Sequence, residues 1–325
     1  MDIEQREELL AWLRERGSLG PGEQAGIRTL AGGVSNRTVL VEFERREAWV
    51  LKQALPKLRV PVDWFCSPER ITREAMGMRW LESVAPPGSI TPLILVDSDE
   101  HLLAMRAVPQ PHENWKAMLL AGRVEPDHVE QFARLLASIH TAREGIPPEF
   151  EDRTYFEALR LEPYYAYTAQ MTPEAAPFLE RLMEDTRATR RSVVHGDYSP
   201  KNILVYQGRL VLLDHEVIHT GDPGFDIGFS MAHLLSKARH VGGSRNELAQ
   251  AALQYWRVYA DAAAPDEERC IRHTLGCLLA RVAGRSQLEY LSAEEKRAQR
   301  DAVCRVMPAP PHSVARLVEE IVGED

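Results

Sequence analysis

The chain has 325 residues, of which 44% are hydrophobic and 27% are charged, and its formal net charge is -9. This length exceeds one ordinary domain and the composition is typical of a soluble globular protein, so we expect two lobes. The acidic balance argues against a nucleic-acid partner, which would favour a basic surface.

The spacing of the cysteines and the lack of long apolar segments indicate the cellular compartment. The four cysteines, Cys66, Cys270, Cys277 and Cys304, are scattered and lack the C-x-x-C spacing of zinc and redox sites. No stretch reaches the roughly 18 apolar residues of a membrane span, and the first residues lack the apolar core of a secretion signal. We therefore expect a cytoplasmic protein with no membrane partner.

The first 108 residues predict a small β-rich lobe. Its predicted strands are β-branched or alternate between apolar and polar residues, and its predicted helices show apolar residues at helical spacing. The elements are, in order, a helix over 3–16, strands over 27–30, 38–43 and 48–51, a helix over 67–83, and strands over 94–97 and 102–107.

After the Pro109-Gln110-Pro111 segment the pattern becomes mainly helical. Helices are predicted over 129–140, 176–187, 229–239, 247–262 and 267–284, and one hairpin over 203–206 and 209–213. The prediction is an α+β, protein-kinase-like fold of two lobes. A small antiparallel-sheet lobe occupies 1–108, and a larger, mainly helical lobe occupies 109–325.

The segment His195-Gly196-Asp197-Tyr198-Ser199-Pro200-Lys201-Asn202, followed by Asp214, carries the chemistry. Phosphoryl transfer from ATP requires a carboxylate beside the attacking hydroxyl and oxygen ligands for Mg²⁺. We predict Asp197 as the catalytic residue and Asn202 and Asp214 as the metal ligands. His195 and Asp226 are predicted to be structural, with Asp226 capping the next helix or bracing the catalytic loop.

Lys52 ends an otherwise apolar strand, where a charged side chain needs a partner if it is buried. Glu74 lies in the helix that follows. Kinase-like sites hold a phosphate-binding lysine with such a helix carboxylate, so we predict this pair in the ATP site. Glu69 and Arg73 are the competing helix residues.

A glycine-rich turn lies one strand ahead of Lys52. It contains Gly32, Gly33, Ser35 and Asn36, and its backbone amides are predicted to cover the ATP phosphates. A plain Gly-Gly turn is the alternative, because the G-x-G-x-x-G pattern of protein kinases is incomplete.

The segment between the lobes includes Met105 and Ala107. An extended backbone there can offer N–H and C=O groups to adenine, with apolar side chains around the ring. The alternative is a plain linker.

The block from His195 to Asn202, the run Asp214-His215-Glu216 and residues 221–228 (Gly-Asp-Pro-Gly-Phe-Asp-Ile-Gly) resemble the aminoglycoside phosphotransferase and choline kinase superfamily. The resemblance covers roughly residues 27–290. It implies transfer of phosphate from ATP, with Mg²⁺, to a hydroxyl group of a small molecule. Within that superfamily, residues 50–56 and 281–285 are similar to the methylthioribose kinases.

The substrate residues follow from the same resemblance and from position. His215 and Glu216 directly follow the predicted metal ligand Asp214. Arg281 and Arg285 lie four residues apart on one predicted helix face. Solvent-exposed helix arginines are the alternative. The acceptor stays open among methylthioribose or another sugar, an amino alcohol such as choline or homoserine, and an aminoglycoside.

The sequence therefore predicts a small-molecule kinase that uses ATP and Mg²⁺. Its expected partners are a small hydroxyl compound and, as an option, a second copy of the chain in a homodimer. The alternative is a catalytically silent binding or regulatory protein on the same fold. All five central positions carry the required residue types, which favours the enzyme: Lys52, Glu74, Asp197, Asn202 and Asp214.

Overall fold

The computed structural model describes residues 1–30, 33–60 and 63–323. Its first part contains a five-stranded antiparallel sheet with strand order β1-β2-β3-β5-β4. The strands are β1 (Ala25–Thr29), β2 (Asn36–Phe43), β3 (Trp49–Ala54), β4 (Leu93–Asp97) and β5 (Leu102–Arg106). Helix α1 (Arg6–Glu15) precedes the sheet and helix α2 (Arg70–Val84) lies between β3 and β4.

The two faces of this sheet are covered by different helices. Leu51 of β3 packs in a core cluster with Leu9 and Leu13 of α1. Val50 and Ala54, on the opposite face, pack with α2 residues such as Ile71. Because side chains alternate along a strand, Lys52 shares the face of Val50 and Ala54 and points toward α2.

The rest of the chain is mainly helical. It contains α3 (Trp115–Leu120), α4 (Pro126–Thr141), α5 (Thr154–Phe156), α6 (Tyr167–Met171), α7 (Ala176–Ala188), α8 (Pro223–His240), α9 (Arg245–Ala263), α10 (Glu267–Ala283), α11 (Ala293–Val306) and α12 (Val314–Val322). A π-helical segment (Glu157–Ala166) joins α5 to α6. Helix α8 is buried over almost its whole length, and its apolar residues share the largest core cluster with those of α4, α9 and α10.

Short strands in this helical part hold the predicted catalytic segments. They are β6 (Glu113–Asn114), β7 (Ser192–Val194), β8 (Ile203–Tyr206), β9 (Arg209–Leu212) and β10 (His219–Gly221). Strands β8 and β9 form an antiparallel hairpin, and β7 pairs with β10. The catalytic loop follows β7, and Asp214 lies just beyond the end of β9, so both segments leave short strands near one another.

Most predicted elements are confirmed with shifted ends. The helix predicted over 229–239 starts at Pro223, because Asp222 accepts a hydrogen bond from the Gly224 amide and caps it. The helix predicted from residue 67 starts at Arg70. Helices α3, α11 and α12 were not predicted. Within the described residues, no helix combines the length and apolar content needed to cross a membrane.

Candidate active site

Lys52 joins the two parts of the chain. Its ammonium group lies 2.6 Å from the Glu74 carboxylate of α2 and 2.8 Å from the Asp214 carboxylate that follows β9. The predicted lysine–glutamate pair is therefore present, and the same lysine also contacts the predicted metal ligand. Neither Glu69 nor Arg73 takes the place of Glu74.

Burial and charge act in opposite directions on this triad. Burial alone would lower the pKa of Lys52, but the charges of Asp214 and Glu74 raise it above its usual value. Burial raises the pKa of Glu74 against the opposing charge of Lys52. Burial would also raise the pKa of Asp214, yet the charges of Lys52 and Lys201 hold it well below its usual range. The triad thus carries an ammonium and an ionised Asp214.

Asp197 lies in a loop whose backbone requires glycine at the preceding position. Gly196 has φ +79°, and a Cβ atom there would lie 2.8 Å from Val217 Cγ2. The Asp197 carboxylate accepts a hydrogen bond of 2.7 Å from Asn202 Nδ2 and lies 2.9 Å from the Arg160 guanidinium. These two contacts hold the carboxylate in one orientation.

Asp226 braces that loop from beneath. Its carboxylate accepts hydrogen bonds from the backbone amides of His195 (2.7 Å) and Gly196 (2.8 Å), and His140 Nε2 donates a third (3.1 Å). Burial would raise the pKa of Asp226, but the His140 hydrogen bond lowers it below its usual value. The geometry fits a loop brace, and Asp222 occupies the capping position instead.

His195 and His215 form a buried pair behind the loop. His195 Nδ1 accepts the Asp197 amide hydrogen at 3.2 Å, and its Nε2 lies 3.1 Å from His215 Nδ1. Burial lowers the pKa of both rings, so both are neutral. With Nδ1 of His195 accepting, its Nε2–H donates to His215.

Asn202 and Asp214 come together at the open end of the β8–β9 hairpin. The Leu213 amide donates to the Asn202 carbonyl at 2.9 Å. Because the Asn202 Nδ2 group donates to Asp197, its amide oxygen is left for another contact. Asp214 has φ +70°, a left-handed backbone conformation that non-glycine residues adopt uncommonly.

The oxygen atoms around these residues suit a hard divalent cation. Carboxylate oxygens of Glu74, Asp214 and Glu216 lie within 4.8 Å of one another, and Glu74 Oε2 is buried without a hydrogen-bond partner among the described residues. Carboxylate and amide oxygens are the ligands that Mg²⁺ prefers. The residues present therefore fit a magnesium site.

A cavity of about 250 Å³ connects the predicted catalytic residues. Its lining includes Asp197 and Asp214, the glycine-turn residues Gly33 and Ser35, and Arg281 of α10. Gly32 lies outside the described residues. Asn36 does not line the cavity, because its amide donates to Ser35 Oγ and to Glu216. Its predicted contact with nucleotide stays a prediction.

The linker residues lie apart from this cavity. Met105 is buried against α2 in the core cluster of Ile71, and its sulfur accepts a hydrogen bond from Thr91 Oγ1. Ala107 lines a different cavity of about 620 Å³, together with Pro92 and Tyr206. The structure does not bring these two residues together with Asp197, and their predicted contact with adenine stays a prediction.

The four predicted substrate residues have different positions. Glu216 lines the cavity and pairs with Arg70 at 2.9 Å. His215 is 2% exposed, does not line the cavity and packs against His195, so its predicted substrate contact stays a prediction. Arg281 and Arg285 both line the cavity, but α10 ends at Ala283. The two arginines therefore do not share a helix face as predicted.

Two arginines at the site were missed by sequence reasoning. Arg160, on the π-helical segment, contacts Asp197. Arg70 is fully buried and links Glu216 to the backbone carbonyls of Ser35, Leu55 and Cys66. Neither residue lies in a motif. The only signal for Arg160 in the sequence is its place in a segment rich in aromatic residues, from Tyr155 to Tyr167.

The sequence matches a known protein family and is similar to a known enzyme. Residues 26–270 match the phosphotransferase enzyme family. Methylthioribose kinase from Pectobacterium atrosepticum is 24% identical over 220 residues, which is 57% of this chain and 53% of that enzyme. The chain thus spans about half the length of this relative.

Solved structures show the same fold at low sequence identity. Choline kinase from Cryptosporidium parvum has a TM-score of 0.59 at 12% identity, covering 96% of this chain and 99% of that one. Amicoumacin kinase in complex with AMP-PNP, Ca²⁺ and its antibiotic has a TM-score of 0.57 at 14% identity, covering 95% and 98%. The fold is therefore kinase-like, with a small antiparallel sheet and a larger helical part.

Proposed function

The chain belongs to the phosphotransferase enzyme family, and we propose that it transfers the γ-phosphoryl group of ATP to a hydroxyl group of a small molecule. The observation that carries this proposal is the contact of Lys52 with both Glu74 and Asp214, beside a cavity that also exposes Asp197. A lysine held between a helix carboxylate and a metal-binding carboxylate is the arrangement that kinase-like sites use to position phosphates.

The two parts of the chain would divide the work. We assign residues 1–108 to nucleotide binding and residues 109–325 to the catalytic loop, the metal and the acceptor. Lys52 would contact the phosphates of ATP, and the amides around Gly33 and Ser35 would cover them. Asn202 and Asp214 would hold Mg²⁺, which supplies charge neutralisation on the phosphates when it is bound.

Asp197 would orient the attacking hydroxyl and receive its proton as the new P–O bond forms and the bond to the leaving ADP oxygen breaks. The transition state of phosphoryl transfer is loose, so positioning matters more than strong proton abstraction. The Arg160 and Asn202 contacts supply that positioning. Relatives whose names specify an alcohol acceptor, methylthioribose kinase and choline kinase, support this reaction class.

Purified protein would be incubated with ATP, Mg²⁺ and a panel of methylthioribose, other sugars, choline, homoserine and aminoglycosides. We expect ADP formation that depends on both the acceptor and Mg²⁺ and that is lost in Asp197→Asn. The decisive negative result is absence of Mg²⁺-dependent nucleotide binding together with absence of transfer to every acceptor. The Lys52→Met variant serves as the control for nucleotide binding, since its protein lacks the phosphate-contacting ammonium.

A further inference from the structure

The acceptor side of the cavity near Asp197 is built by helical elements. Arg160 and Tyr164 come from the π-helical segment, Phe229 and His233 come from α8, and Arg281 comes from the last turn of α10. None of these residues belongs to the nucleotide-binding sheet. They are therefore the side chains available to recognise the part of the acceptor that does not react.

Every carboxylate lining the described part of this cavity already has a cationic partner. Asp197 pairs with Arg160 at 2.9 Å, Asp214 with Lys52 at 2.8 Å, and Glu216 with Arg70 at 2.9 Å. An ammonium group that leaves water needs a carboxylate or an equivalent counter-charge. Among the described lining residues no carboxylate is left to supply it, which disfavours an amine as the recognised group.

Arg281 differs from these paired carboxylates, because it is a buried cation with no carboxylate partner among the described residues. It is 7% exposed, and its Nη1 donates to Tyr164 Oη at 2.7 Å and to Ser286 Oγ at 2.9 Å. Its Nε has no hydrogen-bond partner, and no carboxylate lies within ion-pair distance among the described residues. The charge of Glu289 acts on Arg281, but the ion pair of Glu289 is with Lys116. A buried guanidinium without an ion pair of its own is costly, so a ligand anion beside it would stabilise it.

Three further buried polar atoms in the same lining lack hydrogen-bond partners among the described residues. They are Ser199 Oγ, His233 Nδ1 and Arg285 Nε; the Ser199 and His233 side chains are almost fully buried, at 1% and 2% exposed. Burial, together with the nearby charge of Lys237, lowers the pKa of His233 well below its usual value, so its ring is neutral. A hydroxyl and a neutral imidazole are suitable partners for hydroxyl groups. Unpartnered buried polar atoms are uncommon, and four among the described residues of one cavity lining indicate a polar ligand.

We infer that the acceptor is a compact polyhydroxy compound that carries an anionic group, with one hydroxyl at Asp197 and the anion at Arg281. Ser199 and His233 bind its remaining hydroxyls. The cavity volume of about 250 Å³ suits a molecule of sugar size or smaller. This inference rests on the proposed function, since it assigns the acceptor of that same site. The anion is a carboxylate or a phosphate ester, both of which match the guanidinium fork.

The test uses matched acceptors that differ in charge. With ATP and Mg²⁺, kcat/KM is measured for glucose, glucosamine, glucuronate and glucose 6-phosphate, and for glycerol, serinol, glycerate and glycerol 3-phosphate. We expect an anionic member to exceed its neutral and amine counterparts by at least about ten-fold. The carboxylate and phosphate members of each set distinguish the two sources of the anion.

Arg281→Met should remove this preference, whereas Arg272→Met should keep it, because Arg272 lies on the same helix but pairs with Asp185 outside the cavity. A higher kcat/KM for a neutral or amine member overturns the inference. It leaves the proposed function intact, because transfer has occurred. Loss of Mg²⁺-dependent nucleotide binding and of transfer to every alcohol counts instead against the proposed function.

If no member of these sets is phosphorylated, the thermal stability of the free protein decides the inference. An arginine kept for a ligand anion is unfavourable in the empty site, so Arg281→Met should raise Tm by about 2 °C or more. An arginine with a purely structural role would lower Tm when it is replaced, and that result overturns the inference. Arg272→Met, which breaks an existing ion pair, should not raise Tm.

Discussion

The Arg160 guanidinium lies 2.9 Å from the Asp197 carboxylate and also donates to the Gly196 carbonyl at 2.8 Å. One side chain therefore holds both the carboxylate that we propose as catalytic and the backbone of its loop. Arg160 belongs to a π-helical segment, a geometry that often occurs at functional sites. Burial would lower the pKa of Arg160, but the Asp197 charge raises it above its usual value, so the pair is ionic.

Arg160→Gln should lower kcat by about ten-fold to about a hundred-fold, because Asp197 loses its orientation and its charge partner. The KM for ATP should stay near the wild-type value, since Arg160 makes no contact with Lys52 or the glycine turn. Arg160→Lys should restore part of kcat by keeping the charge. Steady-state kinetics with varied ATP and varied acceptor separate the two constants, and a loss confined to the KM for ATP would contradict the positioning role.

Asp197→Asn should reduce turnover by at least about a hundred-fold, because an amide cannot accept the hydroxyl proton. Affinity for ATP should change little, and fluorescence titration with a nucleotide analogue measures it. The amide also faces Asn202 Nδ2 and Arg160, both donors, so unfolding curves of the variant are needed as a check on the fold. Turnover comparable to that of the wild type would exclude the catalytic role.

Lys52→Met and Glu74→Gln should not have additive effects, because the two side chains form one buried pair at 2.6 Å. Each single variant should weaken ATP use, and the double variant should be little worse than Lys52→Met alone. The expected coupling energy is at least about 1 kcal/mol. A double-mutant cycle on kcat/KM for ATP measures it, and additive losses would show that Glu74 acts independently of Lys52.

Asp226→Ala should destabilise the protein by about 3 kcal/mol, because it leaves two buried backbone amides and His140 without an acceptor. Equilibrium unfolding in urea measures the loss. Asp301→Asn, at an exposed position of α11, provides the control and should change stability by no more than about 0.5 kcal/mol. If both substitutions lowered the free energy of unfolding equally, Asp226 would not have the bracing role assigned to it.

Lys237 should give the protein a distinctive dependence on pH. It is fully buried in α8, and its ammonium donates to the His233 carbonyl at 3.1 Å. Burial, reinforced by the charges of Lys116 and Arg281, lowers the pKa of Lys237 to about 7. The unfolded chain has a lysine pKa of about 10.4 and binds more protons than the folded protein between the two values. Stability therefore rises with pH through that range.

Lys237→Met should remove this rise of stability with pH. The variant should be more stable than the wild type at about pH 6, by an amount on the order of 4 kcal/mol at most, and the difference should vanish toward about pH 10. Urea unfolding at several pH values measures both proteins, with Lys57→Met as the exposed-lysine control. A difference that does not change with pH would show that Lys237 acts through packing rather than through its charge.

The structure brings together predicted residues whose positions depend on local spacing. Asn202 and Asp214 frame one hairpin, so their proximity follows from their spacing. Lys52 lies on the strand face that α2 covers, because side chains alternate along a strand, and its ammonium group lies beside Glu74. The structure adds the reason for the glycine before Asp197, which is a left-handed backbone and the close approach of Val217.

Other positions could not be predicted, because a local pattern does not define an element's end or its neighbours. Arg281 and Arg285 are four residues apart, yet α10 ends at Ala283, and a Cβ at Gly284 would lie 2.5 Å from the Ala280 carbonyl oxygen. His215 follows the predicted metal ligand Asp214 in sequence, but its ring is buried against His195. In both cases packing decided the position of the side chain.

The sequence by itself determined the kinase-like fold and the candidate residues Lys52, Asp197, Asn202 and Asp214, because apolar patterning and loop spacing are local properties of the chain. Only the tertiary structure decided that Arg160 holds Asp197 and that Arg281 has no ion pair among the described residues. Such ionic partners come from elements far apart in the chain. Their pairing depends on how the π-helical segment, α8 and α10 pack around one cavity.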